Sequence, residues 1–110
     1  MTSYRSAKAI AYRRLYQTAQ WRRLREAQLS AHPLCSFCLA RGRTTEAKVV
    51  DHVIPHRGDR DLFFDPKNLD SVCAPCHDSL KAQIESRGYH DAFGLDGFPI
   101  HPSHPFYQRR

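Results

Sequence analysis

Residues 73–78 (CAPCHD) and residues 35–38 (CSFC) together contain all four cysteines of the chain. Each segment has the Cys-x-x-Cys spacing with which a tight turn presents two thiolates to one zinc ion. Two such pairs complete the tetrahedral shell of Zn²⁺ and leave no position for water. The spacing therefore predicts a structural zinc site, with the ligands Cys35, Cys38, Cys73 and Cys76. Four unrelated thiols are the alternative, and the paired spacing argues against it.

Length and charge indicate one small basic domain over residues 1–110. The hydrophobic fraction of 41% is lean, so a zinc ion would support an otherwise modest core. Seventeen Lys and Arg face eleven Asp and Glu, which gives a net charge of +6 and a pI near 9.5. Residues 1–31 concentrate this charge, because seven basic side chains stand there against Glu26 alone: Arg5, Lys8, Arg13, Arg14, Arg22, Arg23 and Arg25. This favours a phosphate-binding face over a merely solvated one.

The chain shows no sign of export or of membrane insertion. Its first residues lack an apolar stretch typical of a signal peptide, and no run approaches the ~18 apolar residues of a spanning helix. We therefore expect a cytoplasmic protein with no membrane partner. Because the cytosol is reducing, this location also favours metal ligation over disulfides for the four cysteines.

The pattern of helix formers and breakers predicts an α+β fold. Residues 1–31 are expected to form a basic helical arm. Its residues 4–31 lack Gly and Pro and are expected to be helical, as one helix or two, with Thr18 as a cap within them. Residues 34–47 are expected to be turn-like. Strands are predicted within residues 47–53 and 70–72, and a helix over residues 74–87 that ends at Gly88.

Two stretches lack clear periodicity. Residues 55–69 (PHRGDRDLFFDPKNL) suggest a long polar loop with an apolar insert, and a loop of this length is usually functional. Residues 88–110 suggest an irregular tail that either packs through its large aromatic side chains or is mobile at its end. The aromatic residues Trp21, Phe63 and Phe64 are expected in the core and not as base-stacking groups.

Between and just after the cysteine pairs stand Asp51, His52, Asn68 and His77. Hydrolysis of a phosphodiester needs a base for water and a cation for the developing charge. His52 suits the base, because histidine is largely neutral at pH 7. Asp51 and His77 are ligands that suit Mg²⁺, Mn²⁺, Ni²⁺ or Zn²⁺. Neighbouring strand residues point to opposite faces, so Asp51 and His52 can share one phosphate only where the strand end is distorted.

The sequence resembles the HNH endonucleases, in particular the small stand-alone kind found in phages and prophages. The resemblance rests on residues 50–59 (VDHVIPHRGD), 64–69 (FDPKNL) and 73–78 (CAPCHD), with residues 21–25 (WRRLR) and 32–35 (HPLC) upstream. It implies a ββα-metal core over residues 32–87, in which two strands, a loop and a helix surround one divalent cation. By the same resemblance, His52 is the general base and Asn68 braces the loop and orients that base. Asp51 and His77 would bind the catalytic cation.

One departure from the family pattern falls at a position that could contact DNA. Close relatives read Cys-His-Asp/Asn-Arg-Lys-Thr at the second cysteine pair, whereas residues 76–82 here read CHDSLKA. Ser79 replaces the arginine, and Lys81 comes one position later. His56 is open to three interpretations: a third metal ligand, a phosphate contact beside Arg57, or a solvated loop residue. We favour the phosphate contact, and we count Lys81, Arg22 and Arg23 as further candidate contacts to the DNA backbone.

The sequence thus predicts a metal-dependent DNA endonuclease with a structural zinc. A zinc-stabilised module that only binds nucleic acid would explain the cysteines and the charge but not the ordered Asp, His, Asn and His. An accessory subunit of a larger machine is a second alternative. The resemblance to phage proteins makes the DNA-packaging terminase a candidate partner and the bacterial host cytoplasm the expected location.

Overall fold

Two short strands pair at the centre of the fold and carry helices on both faces. The computed structural model describes residues 4–107, with side chains from Ala7 onward. Residues 1–3 of the predicted arm, residues 108–110 of the predicted tail and the Arg5 side chain lie outside the described residues. The elements are α1 (Tyr4–Tyr16), α2 (Ala19–Ala31), α3 (Ser36–Ala40), β1 (Val49–His52), α4 (Arg60–Phe63), a 3-10 turn (Pro66–Asn68), β2 (Leu69–Val72), α5 (Ala74–Arg87) and a second 3-10 turn (Pro105–Tyr107). The expected α+β class is confirmed.

The antiparallel ribbon separates two clusters of buried side chains. Asp51 pairs with Asp70 and His52 with Leu69, and successive side chains point to opposite faces. One face joins a cluster of Leu15, Trp21, Val50, Phe63 and Leu69 against the arm. The other face places Val72 among the four cysteines and Leu80 of α5. Asp51 and His52 thus leave the ribbon on opposite sides, as their adjacency in a strand predicts.

The arm consists of two helices, which settles what the sequence left open. Thr18 divides them because its Oγ1 accepts a hydrogen bond from the Trp21 amide at 3.1 Å and donates one to the Leu15 carbonyl at 2.8 Å. Trp21 is buried, and Gln28 on the same helix donates to Ser71 Oγ at 3.0 Å. The predicted cap and the predicted core position of Trp21 are confirmed. Among the described residues, no helix has the length and apolar character needed to span a membrane.

Two segments that were expected to be irregular contain short helices. Within residues 34–47, Ser36–Ala40 form α3, which begins directly after Cys35 and contains Cys38. Within residues 55–69, Asp59 caps α4 by accepting from the amides of Asp61 and Leu62, and Asp65 caps the following 3-10 turn. The prediction of a continuous loop was wrong there, because the two aspartates satisfy the first amides of each turn. Phe63 is fully buried, as predicted, while Phe64 is only partly buried.

The beginning and end of α5 follow the prediction. Cys73 precedes its first turn, and Gly88 ends it with a φ of 85°, a left-handed conformation that glycine adopts without strain. The described part of the tail is irregular apart from the 3-10 turn, as predicted. Its large aromatic side chains Phe93, Phe98, Phe106 and Tyr107 are about half exposed, whereas His90 and Ala92 are buried. His90 packs edge-on against Phe37 of α3 and so holds the start of the tail against the core.

Candidate active site and metal centre

The four cysteines converge on one point in the core. All four are buried and none forms a disulfide, and their Sγ atoms all lie within 4.8 Å of one another. Cys38 Sγ lies 3.8 Å from Cys73 Sγ and 3.7 Å from Cys76 Sγ. A tetrahedral zinc ion with Zn–S bonds of ~2.3 Å requires sulfur–sulfur distances of about 3.8 Å. The donor set and its spacing therefore fit Zn²⁺.

The surroundings of the cysteines favour a bound cation. Burial raises the pKa of Cys35 and of Cys76, whereas a hydrogen bond from Thr45 is the largest cause that lowers the pKa of Cys38 to about 7. Thiols buried in this way lose their protons readily only when a metal compensates the charge. Arg41 Nη2 lies 3.0 Å from Cys76 Sγ, so a guanidinium is in place to offset the negative charge of a four-thiolate site. The sequence reasoning missed Arg41.

His52 is held at the end of β1 in the state that a general base needs. Its ring stacks on Trp21 with centroids 5.3 Å apart, and its Nε2 lies 3.0 Å from the Phe63 carbonyl oxygen. A carbonyl only accepts, so Nε2 carries the hydrogen and Nδ1 carries the lone pair. Burial is the main cause that lowers the pKa of His52, which keeps the ring neutral near pH 7. His52 is thus oriented as a proton acceptor through Nδ1.

Asn68 fixes the loop beside this histidine with three hydrogen bonds. Its Oδ1 accepts from the Ile54 amide at 2.8 Å, and its Nδ2 donates to the carbonyls of Ile54 and Leu62, each at 3.0 Å. Leu62 directly precedes Phe63, whose carbonyl holds His52. Asn68 therefore ties the segment after His52 to the segment that orients its ring.

Asp51 and His52 share one cleft although they leave the strand on opposite sides. The cleft encloses about 220 Å³ and its wall is formed by Tyr12, Tyr16, Asp51, His52, Pro55, His56, Arg57, Lys81 and Glu85. His52 is the last residue of β1, and both it and Asp51 contribute to the wall of this cleft. Asp51 Oδ1 accepts from the His52 amide at 2.9 Å, and Asp51 Oδ2 lies 3.3 Å from Lys81 Nζ.

The structure does not place His77 in the wall of this cleft. His77 lies in the first turn of α5, where its side chain is 38% exposed and its Nδ1 is 3.3 Å from Asp78 Oδ1. Among the described side chains, only the four cysteines form a set of three or more His, Cys, Asp or Glu ligands within 4.8 Å of one another. Asp51 nevertheless offers a hard carboxylate oxygen in an open cleft. Such a donor suits Mg²⁺-like ions, which keep several waters and use one or two carboxylates together with substrate phosphate.

His56 is neither solvated nor a cation. It is buried, its Nδ1 accepts from the Gly58 amide at 3.0 Å, and its Nε2 lies 3.1 Å from the Tyr16 hydroxyl oxygen. Burial, followed by the charge of His52, lowers its pKa. The interpretation as a solvated loop residue was wrong. Its Nε2–H is already used by Tyr16, so a phosphate contact from His56 requires that hydrogen bond to open.

Two tyrosines of α1 were missed by the sequence reasoning. Tyr16 contacts the rings of both His52 and His56, and Tyr12 lies edge-on to His56 at 5.2 Å. Their spacing of four positions places them on one helical face, and this is the signal that the sequence contained. The arm therefore covers one side of the cleft. Burial and the nearby Asp51 charge raise the pKa of Tyr16, so its hydroxyl stays protonated.

The candidate phosphate contacts lie partly in the cleft wall and partly on α2. Arg57 is exposed at the cleft wall with a φ of 50°, and Gly58 follows with a φ of 86° where an added Cβ would stand 2.9 Å from Tyr12 Cε1. Arg22 and Arg23 are exposed on α2. Lys81 is not on open surface, because its ammonium contacts Asp51 and donates to the His52 carbonyl at 3.0 Å.

Comparison with known proteins points to one family. The family model for HNH endonucleases matches residues 35–83, which contain the cysteines and the cleft residues from Asp51 to Lys81. The crystal structure of the HNH endonuclease of the deep-sea thermophilic bacteriophage GVE2, solved with a manganese ion, is 31% identical with a TM-score of 0.65. The alignment covers 77% of this chain and 97% of the phage chain. No curated protein matches the sequence.

The chain belongs to the HNH endonuclease family. It is therefore a nuclease, and DNA is the substrate class on which HNH endonucleases act. The resemblance stated from the sequence and the expectation of an enzyme are confirmed. The manganese of the phage structure and the four-cysteine cluster of this chain support metal binding in this HNH protein.

Proposed function

We propose that this HNH protein is a metal-dependent DNA endonuclease in which His52 removes a proton from the attacking water. The observation that carries the proposal is the hydrogen bond from His52 Nε2 to the Phe63 carbonyl. It fixes the tautomer, so Nδ1 is the acceptor, and burial keeps the ring neutral near pH 7. Asn68 is a positioning residue in this scheme, since it braces the segments on both sides of His52.

The catalytic cation would be held by Asp51, with water and a phosphate oxygen as further ligands, and His77 would join it when its imidazole turns from Asp78 toward the cleft. Bound there, a divalent cation would stabilise the charge that develops on the phosphate and on the leaving oxygen. The carboxylate favours Mg²⁺ or Mn²⁺, and the imidazole also accommodates Ni²⁺ or Zn²⁺. The manganese in the phage GVE2 enzyme supports a divalent cation of this kind. Zn²⁺ at the four cysteines would have a purely structural role.

DNA would be gripped mainly through its backbone. Arg57 stands exposed at the cleft wall, and Arg22 and Arg23 stand exposed on the basic arm. Contacts of this kind position a duplex without reading its sequence. His56 joins them only if its hydrogen bond to Tyr16 opens, and Lys81 only if it leaves Asp51.

The phage origin of the structural neighbour supports a role in phage or prophage DNA processing. We propose DNA packaging in the cytoplasm of the bacterial host, with the terminase as partner and no membrane partner. In an accessory role of this kind, nicking by the isolated protein would be weak and would rise when the terminase is added. A terminase that leaves the nicking rate unchanged would remove this partner from the proposal.

The experiment that tests metal-dependent cleavage is nicking of supercoiled plasmid by zinc-loaded protein with Mg²⁺, Mn²⁺, Ni²⁺ or EDTA. Wild type is expected to nick with at least one cation and not with EDTA, and Asp51→Asn to lose this activity while keeping its zinc. Folded, zinc-loaded wild type that binds plasmid but nicks with no cation would instead support a module that only binds nucleic acid.

A further inference from the structure

Lys81 contacts the candidate metal ligand directly. It lies two turns into α5, with Nζ 3.3 Å from Asp51 Oδ2 and a hydrogen bond of 3.0 Å to the His52 carbonyl. Only 15% of its side chain is exposed. It also lines two clefts, of about 220 Å³ and 330 Å³, that both have Asp51, His52 and Lys81 in their walls. The ammonium is thus built into the centre of the site.

Both carboxylate oxygens of Asp51 already have partners. Oδ1 accepts from the His52 amide at 2.9 Å, and Oδ2 faces the ammonium. A divalent cation at Oδ2 would stand within a few ångströms of a like charge, and in a partly buried cleft that repulsion is only weakly screened. The cation and the ammonium therefore cannot both hold Oδ2 at full strength.

We propose that Lys81 is an internal competitor for the catalytic cation at Asp51. In the cation-free protein its ammonium neutralises the carboxylate, and it gives up Oδ2 when a divalent cation binds. Its hydrogen bond to the His52 carbonyl keeps it in the cleft, where the released charge can meet the substrate phosphate. Glu85, four residues later on the same helix, lines that cleft and offers an alternative carboxylate. This inference rests on the proposed role of Asp51.

The test is Mn²⁺ affinity, measured by electron paramagnetic resonance of free Mn²⁺ on zinc-loaded protein. Lys81→Met removes the charge and keeps an unbranched side chain, and we expect it to bind Mn²⁺ tighter than wild type by on the order of tenfold. Lys81→Arg keeps the charge and should stay near the wild-type affinity. At saturating Mn²⁺, Lys81→Met should nick DNA more slowly than wild type. A purely structural Lys81 would not make metal binding tighter when removed.

Asp51→Asn distinguishes failure of the competition by Lys81 from failure of Asp51 as the cation ligand. If it abolishes Mn²⁺ binding but Lys81→Met binds no tighter than wild type, competition by Lys81 is refuted and the role of Asp51 stands. If Asp51→Asn binds Mn²⁺ like wild type, the proposed cation ligand itself is wrong.

Lys81→Met leaves the His52 carbonyl without its hydrogen-bond donor, and this loss can destabilise the fold. A second measurement therefore uses the wild-type protein alone. The acylation rate of Lys81 in the wild-type protein is followed by mass spectrometry with and without Mn²⁺, with the exposed Lys67 as internal reference. Faster acylation of Lys81 in Mn²⁺ is expected. If Mn²⁺ leaves the ratio of the Lys81 acylation rate to the Lys67 acylation rate unchanged, the proposal is overturned.

Discussion

Replacement of Asn68 by alanine should destabilise the protein markedly although the residue is small. The residue is 5% exposed, and its side chain makes three hydrogen bonds, of 2.8, 3.0 and 3.0 Å, to the backbone of Ile54 and Leu62. A net hydrogen bond contributes about 1 kcal/mol, and a buried backbone group left without a partner costs about 1–3 kcal/mol. We therefore expect Asn68→Ala to lose about 2–4 kcal/mol, or a melting temperature lower by roughly 10–15 °C.

Asn68→Asp has almost the same shape and tests the hydrogen bonds separately from packing. Its carboxylate can still accept from the Ile54 amide, but it turns an oxygen toward the carbonyls of Ile54 and Leu62, to which the wild-type amide donates. At pH 7 it should therefore be at least as unstable as Asn68→Ala. Lowering the pH should recover part of the stability that Asn68→Asp lacks relative to Asn68→Ala, because the protonated carboxyl can donate a hydrogen bond again.

The assay is thermal unfolding by circular dichroism of zinc-loaded protein, with the exposed neighbour Lys67→Ala as control. Nicking is then measured below the melting temperature of each variant, where lost positioning of His52 should appear as a lower rate. An Asn68→Ala protein that melts within about 2 °C of wild type would refute the reasoning, because it would show that the three bonds contribute nothing net.

Further outcomes follow from the same structure. Cys73→Ser should unfold the chain at ambient temperature, since zinc binding is folding free energy of about 10 kcal/mol or more; a variant that melts like wild type would rule out the structural zinc. Because burial lowers the pKa of His52 below its ordinary 6.5, cleavage should be constant above that value and fall as pH drops through the lowered pKa; an activity that rises with acid would exclude a neutral base. Burial also lowers the pKa of His90. The stability that neutral His90 contributes should therefore be full above pH 6.5 and lost as the pH falls through the lowered pKa. Equal melting temperatures at pH 7.5 and 5.5 would contradict this. Arg22→Ala with Arg23→Ala should weaken DNA binding and lower the slope of log affinity against log salt by about 2; an unchanged slope would remove α2 from the interface.

Much of the fold could be predicted because its signals are local. Thr18 caps α2 through its own side chain, Gly88 ends α5 with a positive φ, and the cysteine spacing alone indicates the zinc site. The short helices α3 and α4 escaped prediction because each is about one turn long. A single capping residue such as Asp59 decides such a turn, and no periodic pattern can form over it.

The site could be predicted only in part, since several of its contacts join distant segments. The segments around three of its residues resemble the HNH pattern, and this made it possible to pick out Asp51, His52 and Asn68 from the sequence. Tyr16 reaches His56 across 40 positions, and Lys81 reaches the His52 carbonyl across 29. These pairings depend on how α1 and α5 pack against the ribbon, which residue types alone do not specify. The buried His90 escaped for the same reason, because its place is set by Phe37 of α3.

The role of His52 as base is the central claim, and single-turnover nicking by wild type and His52→Ala tests it most directly. The ring packs on Trp21 and Phe63, so zinc content and unfolding must first show that the variant is folded at the assay temperature. We expect a rate about 10²–10⁴-fold lower for His52→Ala, with the cation dependence preserved. Equal rates for the two folded proteins would rule out His52 and assign the base to another residue.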